Sequence, residues 1–337
     1  MKIFNILFIA FLSLNVSFSQ SNLLNANDPS EIGVKTLNQL DKDDESVLEY
    51  GYVDDKDILF SKTVWEIIDL DQRVNFPLLY PTDTLLVGQE RKPLIHYLIK
   101  GIQDGSIPKV YNDGKFNVEK PLSVFNASLV DSIYTPNGLD IIDRFGSEKN
   151  FITSKGVDLG EYEIDYTLDE ISDMNDDEYT IYEGKLKSLA FKFLTVNEDY
   201  NINRFSYDMV YQYMIKGVWY FDKIQSDLRY RILAIAPITS EIKDRDKRVE
   251  LFWIYYPHAR EALKDAYVFS ERNSAVRKSF DELINSRRFS SVIFLEENVL
   301  EDRQIKEYIS KNSFMQLLES ERIKEKIRNL EHDMWSW

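Results

Sequence analysis

Apolar positions along this chain follow two periods. In KTVWEIIDL, residues 62–70, Val64, Trp65, Ile67 and Ile68 share one helical stripe, and Ser61 stands where a cap belongs. The pattern predicts a first helix there, leaving through Phe76-Pro77-Leu78-Leu79-Tyr80-Pro81. A second helix is predicted from Pro93, because Leu94, Ile95, Leu98, Ile99 and Ile102 recur at three and four. Asp104-Gly105 and Asp113-Gly114 then mark turns.

In the second half the period falls to two. YDMVYQYMI (207–215), LRYRILAIA (228–236) and VELFWIYY (249–256) alternate as successive antiparallel strands, so WYFDKIQSDLRYRILAIAP (219–237) holds a hairpin. SSVIFLEEN (290–298) reads as another strand. Beyond Pro257 come helices, with capping-box spacings at Ser279/Glu282 and Ser313/Gln316. The last helix carries Phe314, Leu317, Leu318, Ile323, Ile327 and Leu330. The expected fold class is therefore α+β: an antiparallel sheet, mainly from the second half, packed with helices from both ends. Between 158 and 184 the pattern blurs. DLGEYEIDYTL alternates like a strand and DEISDMNDDEY reads as an acidic loop, which suggests a boundary between two lobes.

The start of the chain has its own character. Lys2, the apolar run IFNILFIAFL and the small residues Ser17 and Ser19 describe a secretory signal, residues 1–19, cut between Ser19 and Gln20. Residues 20–57 are polar and acidic, with the runs Asp41-Lys42-Asp43-Asp44-Glu45 and Asp54-Asp55-Lys56-Asp57. They read as an extended arm, either solvated or ordered on a neighbouring subunit. The folded domain is expected over 58–337.

Composition narrows the functional classes. The chain has no cysteine, which excludes disulfides, a thiol nucleophile, Cys-based metal sites and a lipid on an N-terminal cysteine. Any membrane association must then run through a partner. A formal charge of −16 argues against nucleic acid and anionic lipid as partners. Twenty Phe and 20 Tyr supply aromatic surface for a core, an interface or both.

Catalytic signals are weak. His96, His258 and His332 are isolated, and neither a glycine-rich phosphate loop nor a GxSxG elbow occurs. Asp173, Asn175 and Asp177 occupy the first positions of an EF-hand loop, but Glu178 replaces its glycine and Gly184 its bidentate acid. Acidic pairs such as Asp69/Asp71 or Glu296/Glu297 read as solvated turn residues rather than a glycosidase site. No catalytic residue, cofactor or metal is expected. A periplasmic glycan-active or peptide-binding protein is the alternative.

Five stretches carry a resemblance: DILFSKTVWEIIDLDQRVNFPLLYP (57–81), the hairpin 219–237, LFWIYYPHAR (251–260), FDELINSRRFSSVIFLEENVLEDRQIKEYI (280–309) and EHDMW (331–335). In order and together they resemble the gliding-motility GldN family, called PorN in non-gliding relatives. The resemblance implies a periplasmic component of the type IX secretion system of Bacteroidota. It would assemble with the outer-membrane lipoprotein GldK into a ring of its own copies, contact the motor protein GldM and have no enzymatic activity. The residues offered as interaction anchors are Trp65, Trp219, Trp253, Arg288 and Phe289, each of which could equally pack the core.

Overall fold

The computed structural model describes residues 47, 50–85, 87–88, 91–162, 164–174, 176–242, 245–269, 278–299 and 302–334. The signal with its cleavage pair Ser19 and Gln20, and the arm up to residue 46, lie outside them. Chain order is β1 (Ile58–Asp69), α1 (Phe76–Leu79), α2 (Leu94–Gln103), α3 (Leu122–Ser128), β2 (Val130–Tyr134), α4 (Pro136–Phe145), α5 (Glu148–Ser154), α6 (Leu168–Ser172) and α7 (Asp176–Phe191). It continues with β3 (Tyr200–Arg204), β4 (Val210–Asp222), β5 (Asp227–Ser240), β6 (Arg248–Glu250), β7 (Ile254–Tyr255), α8 (Tyr256–Leu263), β8 (Tyr267–Val268) and β9 (Lys278–Ser279). Last come α9 (Phe280–Asn285), β10 (Val292–Glu296), α10 (Ile305–Tyr308) and α11 (Ser313–Met334). This is an α+β protein, and its main sheet comes mostly from the second half.

Two compact units emerge. The first joins residues 1–122, 206–239 and 248–337; the second joins 123–205 and 240–247. The first is built on a six-stranded sheet in the order β10-β1-β4-β5-β6, with β7 also paired to β5. The predicted hairpin is β4–β5, and Trp219 faces Tyr230 across it. VELFWIYY splits into β6 and β7 around residues 251–253.

The first predicted helix is overturned: residues 58–69 are β1, an inner strand of the sheet between β10 and β4. Val64, Glu66 and Ile68 are buried on one face, while Trp65 and Ile67 join a cluster on the other. A strand covered on both faces satisfies spacings of three and four as well as two. Its β-branched and aromatic content is what favours the strand. The Phe76–Pro81 exit also contains the one-turn helix α1. The helix near 93 forms as α2, with Pro93 at its N-cap and Leu94, Ile95, Leu98 and Ile102 buried.

Helix α11 shows a second departure. Its buried line runs through Ser320, Ile323 and Ile327, which turns Phe314, Leu317 and Leu318 away from the core and leaves them exposed. Asn312, not Ser313, caps it: Asn312 Oδ1 accepts from the backbone N–H groups of Phe314 and Met315 at 3.1 and 3.2 Å. The helix lies on the outer strand β10, where Ser320 Oγ accepts the Ile293 N–H at 2.9 Å. Nearby, Lys324 Nζ donates to the Ser291 carbonyl at 2.9 Å.

The second unit has a smaller core of Ile142, Phe151, Ile152, Leu159, Ile164, Tyr182, Leu186, Leu189 and Ala190. Its two-stranded sheet pairs Tyr134 with Tyr200, and the Phe191 ring packs on both, 4.8 and 4.4 Å between centroids. Gly138 is required here, since a Cβ would stand 1.9 Å from the Asp199 carbonyl oxygen. Residues 158–184 lie inside this unit, and both local readings fail. Leu159–Tyr162 is a 3-10 turn rather than part of a strand. The acidic stretch forms α6 and the start of α7, with a capping box of Thr167 and Glu170 holding α6. Carboxylates in the first turn of a helix meet its positive end, so acidity there is compatible with helix.

Candidate functional site

The site grows from the two ends of the short helix α9. At its start Ser279 Oγ accepts the Glu282 N–H at 3.1 Å, the half of the predicted capping box that caps the helix. Its first turn buries Asp281. Arg260 of α8 grips that carboxylate with two hydrogen bonds, 3.0 Å from Nε and 3.1 Å from Nη2. The Tyr256 hydroxyl and the Asn285 amide donate to the same Asp281 oxygen at 3.0 and 2.7 Å. The Tyr50 hydroxyl donates to Asn285 Oδ1 at 2.7 Å, and its ring lies 4.4 Å from the Arg260 guanidinium and 5.0 Å from that of Arg231. Arg231 also donates to the Gly51 carbonyl at 2.8 Å. Desolvation, partly countered by Arg260, pushes the Tyr50 hydroxyl up to about 12.

At the other end α9 stops in a Schellman turn: the Arg287 N–H reaches the Ile284 carbonyl at 3.0 Å and the Arg288 N–H reaches Leu283 at 3.1 Å. The left-handed position of that turn usually belongs to glycine. Here it is Arg287, at φ 51°, a conformation that costs an L-residue roughly 1–2 kcal/mol. The strain is matched by what the side chain reaches. Arg287 Nη2 donates at 2.8 Å to Oε2 of Glu66, a carboxylate wholly buried in the middle of β1. The Ser291 hydroxyl donates to the same oxygen. The guanidinium is 4.0 Å from the Tyr230 ring centre, 5.1 Å from Trp219 and 5.4 Å from Phe289.

The two ends of α9 differ in how completely they are bonded. Glu66 Oε1, Arg287 Nη1 and the Tyr230 hydroxyl are buried without a hydrogen-bond partner. The Tyr230 hydroxyl stands beside both charges. Its burial and the Glu66 charge push it well above the usual phenol range. Burial opposes the Arg287 charge, but the Glu66 charge and hydrogen bond outweigh it and hold the guanidinium above its ordinary value. Gly217 on β4 makes the room, since a Cβ there would meet the Tyr230 oxygen at 2.2 Å. Beside these groups opens a cavity of about 500 Å³, walled by Glu66, Trp219, Arg287, Phe289 and Ser291 and by Lys324 and Arg328 of α11.

Of the anchors read from sequence, Trp219 and Phe289 meet on this cavity wall. Arg288 is exposed next to it. Trp65 and Trp253 belong to the opposite face of the sheet, with Met214, Ala234, Ala236 and Ile238. There the Lys216 ammonium lies 5.0 Å from the Trp65 ring centre, and Trp253 Nε1 donates to Glu250 at 2.7 Å. Asp69 Oδ1 accepts the Asp71 N–H at 3.1 Å, a turn contact, and Glu296 pairs with Lys62 at 3.2 Å. His96 Nδ1 meets the Tyr207 hydroxyl at 2.8 Å, and the His258 ring packs edge-on to Tyr255.

Sequence reading missed Glu66, Arg287 and Tyr230. One signal was available: a single acid inside the apolar run VWEIID has to be paired if that run is buried.

Among the described residues no helix is long and apolar enough to cross a membrane. No curated protein matches the chain. Residues 53–336 match the family model described as gliding motility associated protein GldN, and the chain belongs to that family, a component of the gliding-motility and type IX secretion machinery.

Proposed function

We propose that this chain is a non-enzymatic periplasmic subunit of the secretion machinery, forming a ring of its own copies with a GldK-like outer-membrane lipoprotein and contacting a GldM-like motor protein. The observation that carries this reading is the family match over 53–336. The sequence supports it: residues 1–19 read as a cleavable signal and the chain has no cysteine to carry lipid, which fits a chain tethered by a partner. The acidic arm 20–57 precedes the domain, and its last stretch is the part that Arg231 and Asn285 hold through Gly51 and Tyr50.

The test is a pull-down of the tagged protein from gently solubilised envelopes, followed by sizing. A very large assembly containing an outer-membrane lipoprotein is expected, and a lone monomer overturns the reading. Within that assay Trp219→Ala and Phe289→Ala separate contact from packing. A true anchor costs about 2 kcal/mol or more of binding while the purified variant keeps its circular dichroism spectrum. Unfolding of the variants removes these residues from the interface.

A further inference from the structure

We propose that the cavity beside Trp219 and Phe289 is the seat of the chain's own Trp335, which folds onto it from the end of α11 in the same molecule. Residues 335–337 lie outside the described residues. The inference concerns the single chain and stands apart from the ring reading.

Three observations carry it. The first is register. Lys324, Ile327, Arg328 and Glu331 of α11 line the cavity, at spacings of three and four that put them on one face of the helix. At about 100° per residue they span an arc of roughly 100°, and Trp335 falls inside it, about 20° from Lys324. Trp337 falls about 140° away, on the opposite side. The second is reach. Helix α11 is described to Met334, and consecutive Cα atoms stand about 3.8 Å apart. Continued along the helix, Trp335 stands about 6 Å beyond Glu331. Helical side chains lean back toward the N-terminus and cover the preceding turn, which aims this position at the cavity rather than past it.

The third is the wall. Two of its cations are answered within the molecule, Arg287 by Glu66 at 2.8 Å and Lys324 by Glu321 at 2.9 Å. What is left open is apolar: Trp219, Leu228 and Phe289 are large side chains only half-buried around the cavity. An indole covers about 150–250 Å² and packs against other rings without calling for a charge. A volume of about 500 Å³ lies within the usual range for binding sites, roughly 300–1,000 Å³. A seated Trp335 would cover the wall formed by Trp219 and Phe289. A partner reaching for that wall would have to displace the tail first, which lowers its apparent affinity.

In the experiment the five tryptophans of the full chain are replaced by 5-fluorotryptophan, and their fluorine NMR signals are assigned by changing each in turn to Phe. A soluble gadolinium chelate then broadens the signals that solvent reaches. Trp335 should stay nearly as sharp as Trp253, which is 3% exposed, while Trp337 broadens. Phe289→Ala should expose Trp335, and Trp335→Ala should expose Trp219 with an unchanged circular dichroism spectrum. A Trp335 signal that broadens as much as that of Trp337, or a Trp219 signal indifferent to Trp335→Ala, overturns the proposal. Protection that is lost on dilution puts the tail in a second copy and overturns it too. Should Phe289→Ala unfold the chain, the reciprocal exposure of Trp219 decides alone. A lone monomer in the envelope pull-down whose Trp335 is protected spares this seat and sinks the ring. A full assembly whose Trp335 is broadened does the reverse.

Discussion

The two ends of helix α9 hold two acid–arginine pairs that invite comparison. Around Asp281 every partner is in place: Arg260 binds both carboxylate oxygens, and Tyr256 and Asn285 donate to one of them. Around Glu66 the pairing is one-sided, with one carboxylate oxygen, one guanidinium nitrogen and one phenol left over. A saturated buried network fixes a structure, whereas an incompletely bonded one carries the desolvation cost of the atoms left over.

The contrast can be broken by mutation. The largest effect is expected at the saturated end. Asp281→Ala strips partners from Arg260, Tyr256 and Asn285 together and should cost about 3–5 kcal/mol in urea denaturation. A loss below that of Glu66→Gln would remove the distinction. Glu66→Gln should cost less, about 1–3 kcal/mol, because it removes a charge from a network that is already incomplete.

Tyr50→Phe comes next, at about 1 kcal/mol near neutral pH for the hydrogen bond to Asn285. It also carries a pH signature. The folded-state value of the Tyr50 hydroxyl is raised from 10.0 to about 12, so its contribution is complete below pH 10 and is lost as pH rises toward 12. Melting curves through that window should fall less steeply for Tyr50→Phe than for the unaltered protein; parallel curves would contradict the burial of this ring. Arg288→Ala, on the exposed side chain next to Arg287, should stay within about 0.5 kcal/mol in the same denaturation assay. A larger loss would show that the neighbouring arginines share one role.

Much of the sheet was legible in the sequence. The hairpin β4–β5, the strand β10 and the helix α2 show their periods in the apolar pattern of the sequence, even though β5 is buried on both faces from Ala234 onward. Strand β1 was not, because its apolar residues stand on both faces, Val64 and Ile68 on one and Trp65 and Ile67 on the other, at spacings that a helix shares. The 158–184 stretch misled for a different reason: the buried stripe of α7, Tyr182, Leu186, Leu189 and Ala190, lies mostly beyond it, and within it the structure rests on a capping box and on tyrosines such as Tyr166 and Tyr182, packed 5.7 Å apart. Of the candidate site, only the aromatic wall could be read. Trp219 and Phe289 stood out as large residues, whereas the pairing of Glu66 with Arg287 joins positions 221 residues apart, and nothing local predicts it.

The seam between α11 and the outer strand has a consequence for how copies of this chain could add together. An uncovered strand lets any extended chain lengthen the sheet, with little regard to sequence. Here the outward N–H of Ile293 and the Ser291 carbonyl are already taken by Ser320 and Lys324 of the same molecule. At those two positions the backbone is already engaged within the molecule, so association there would be negotiated by side chains. Recognition of that kind depends on which residues meet, and a single substitution can revoke it.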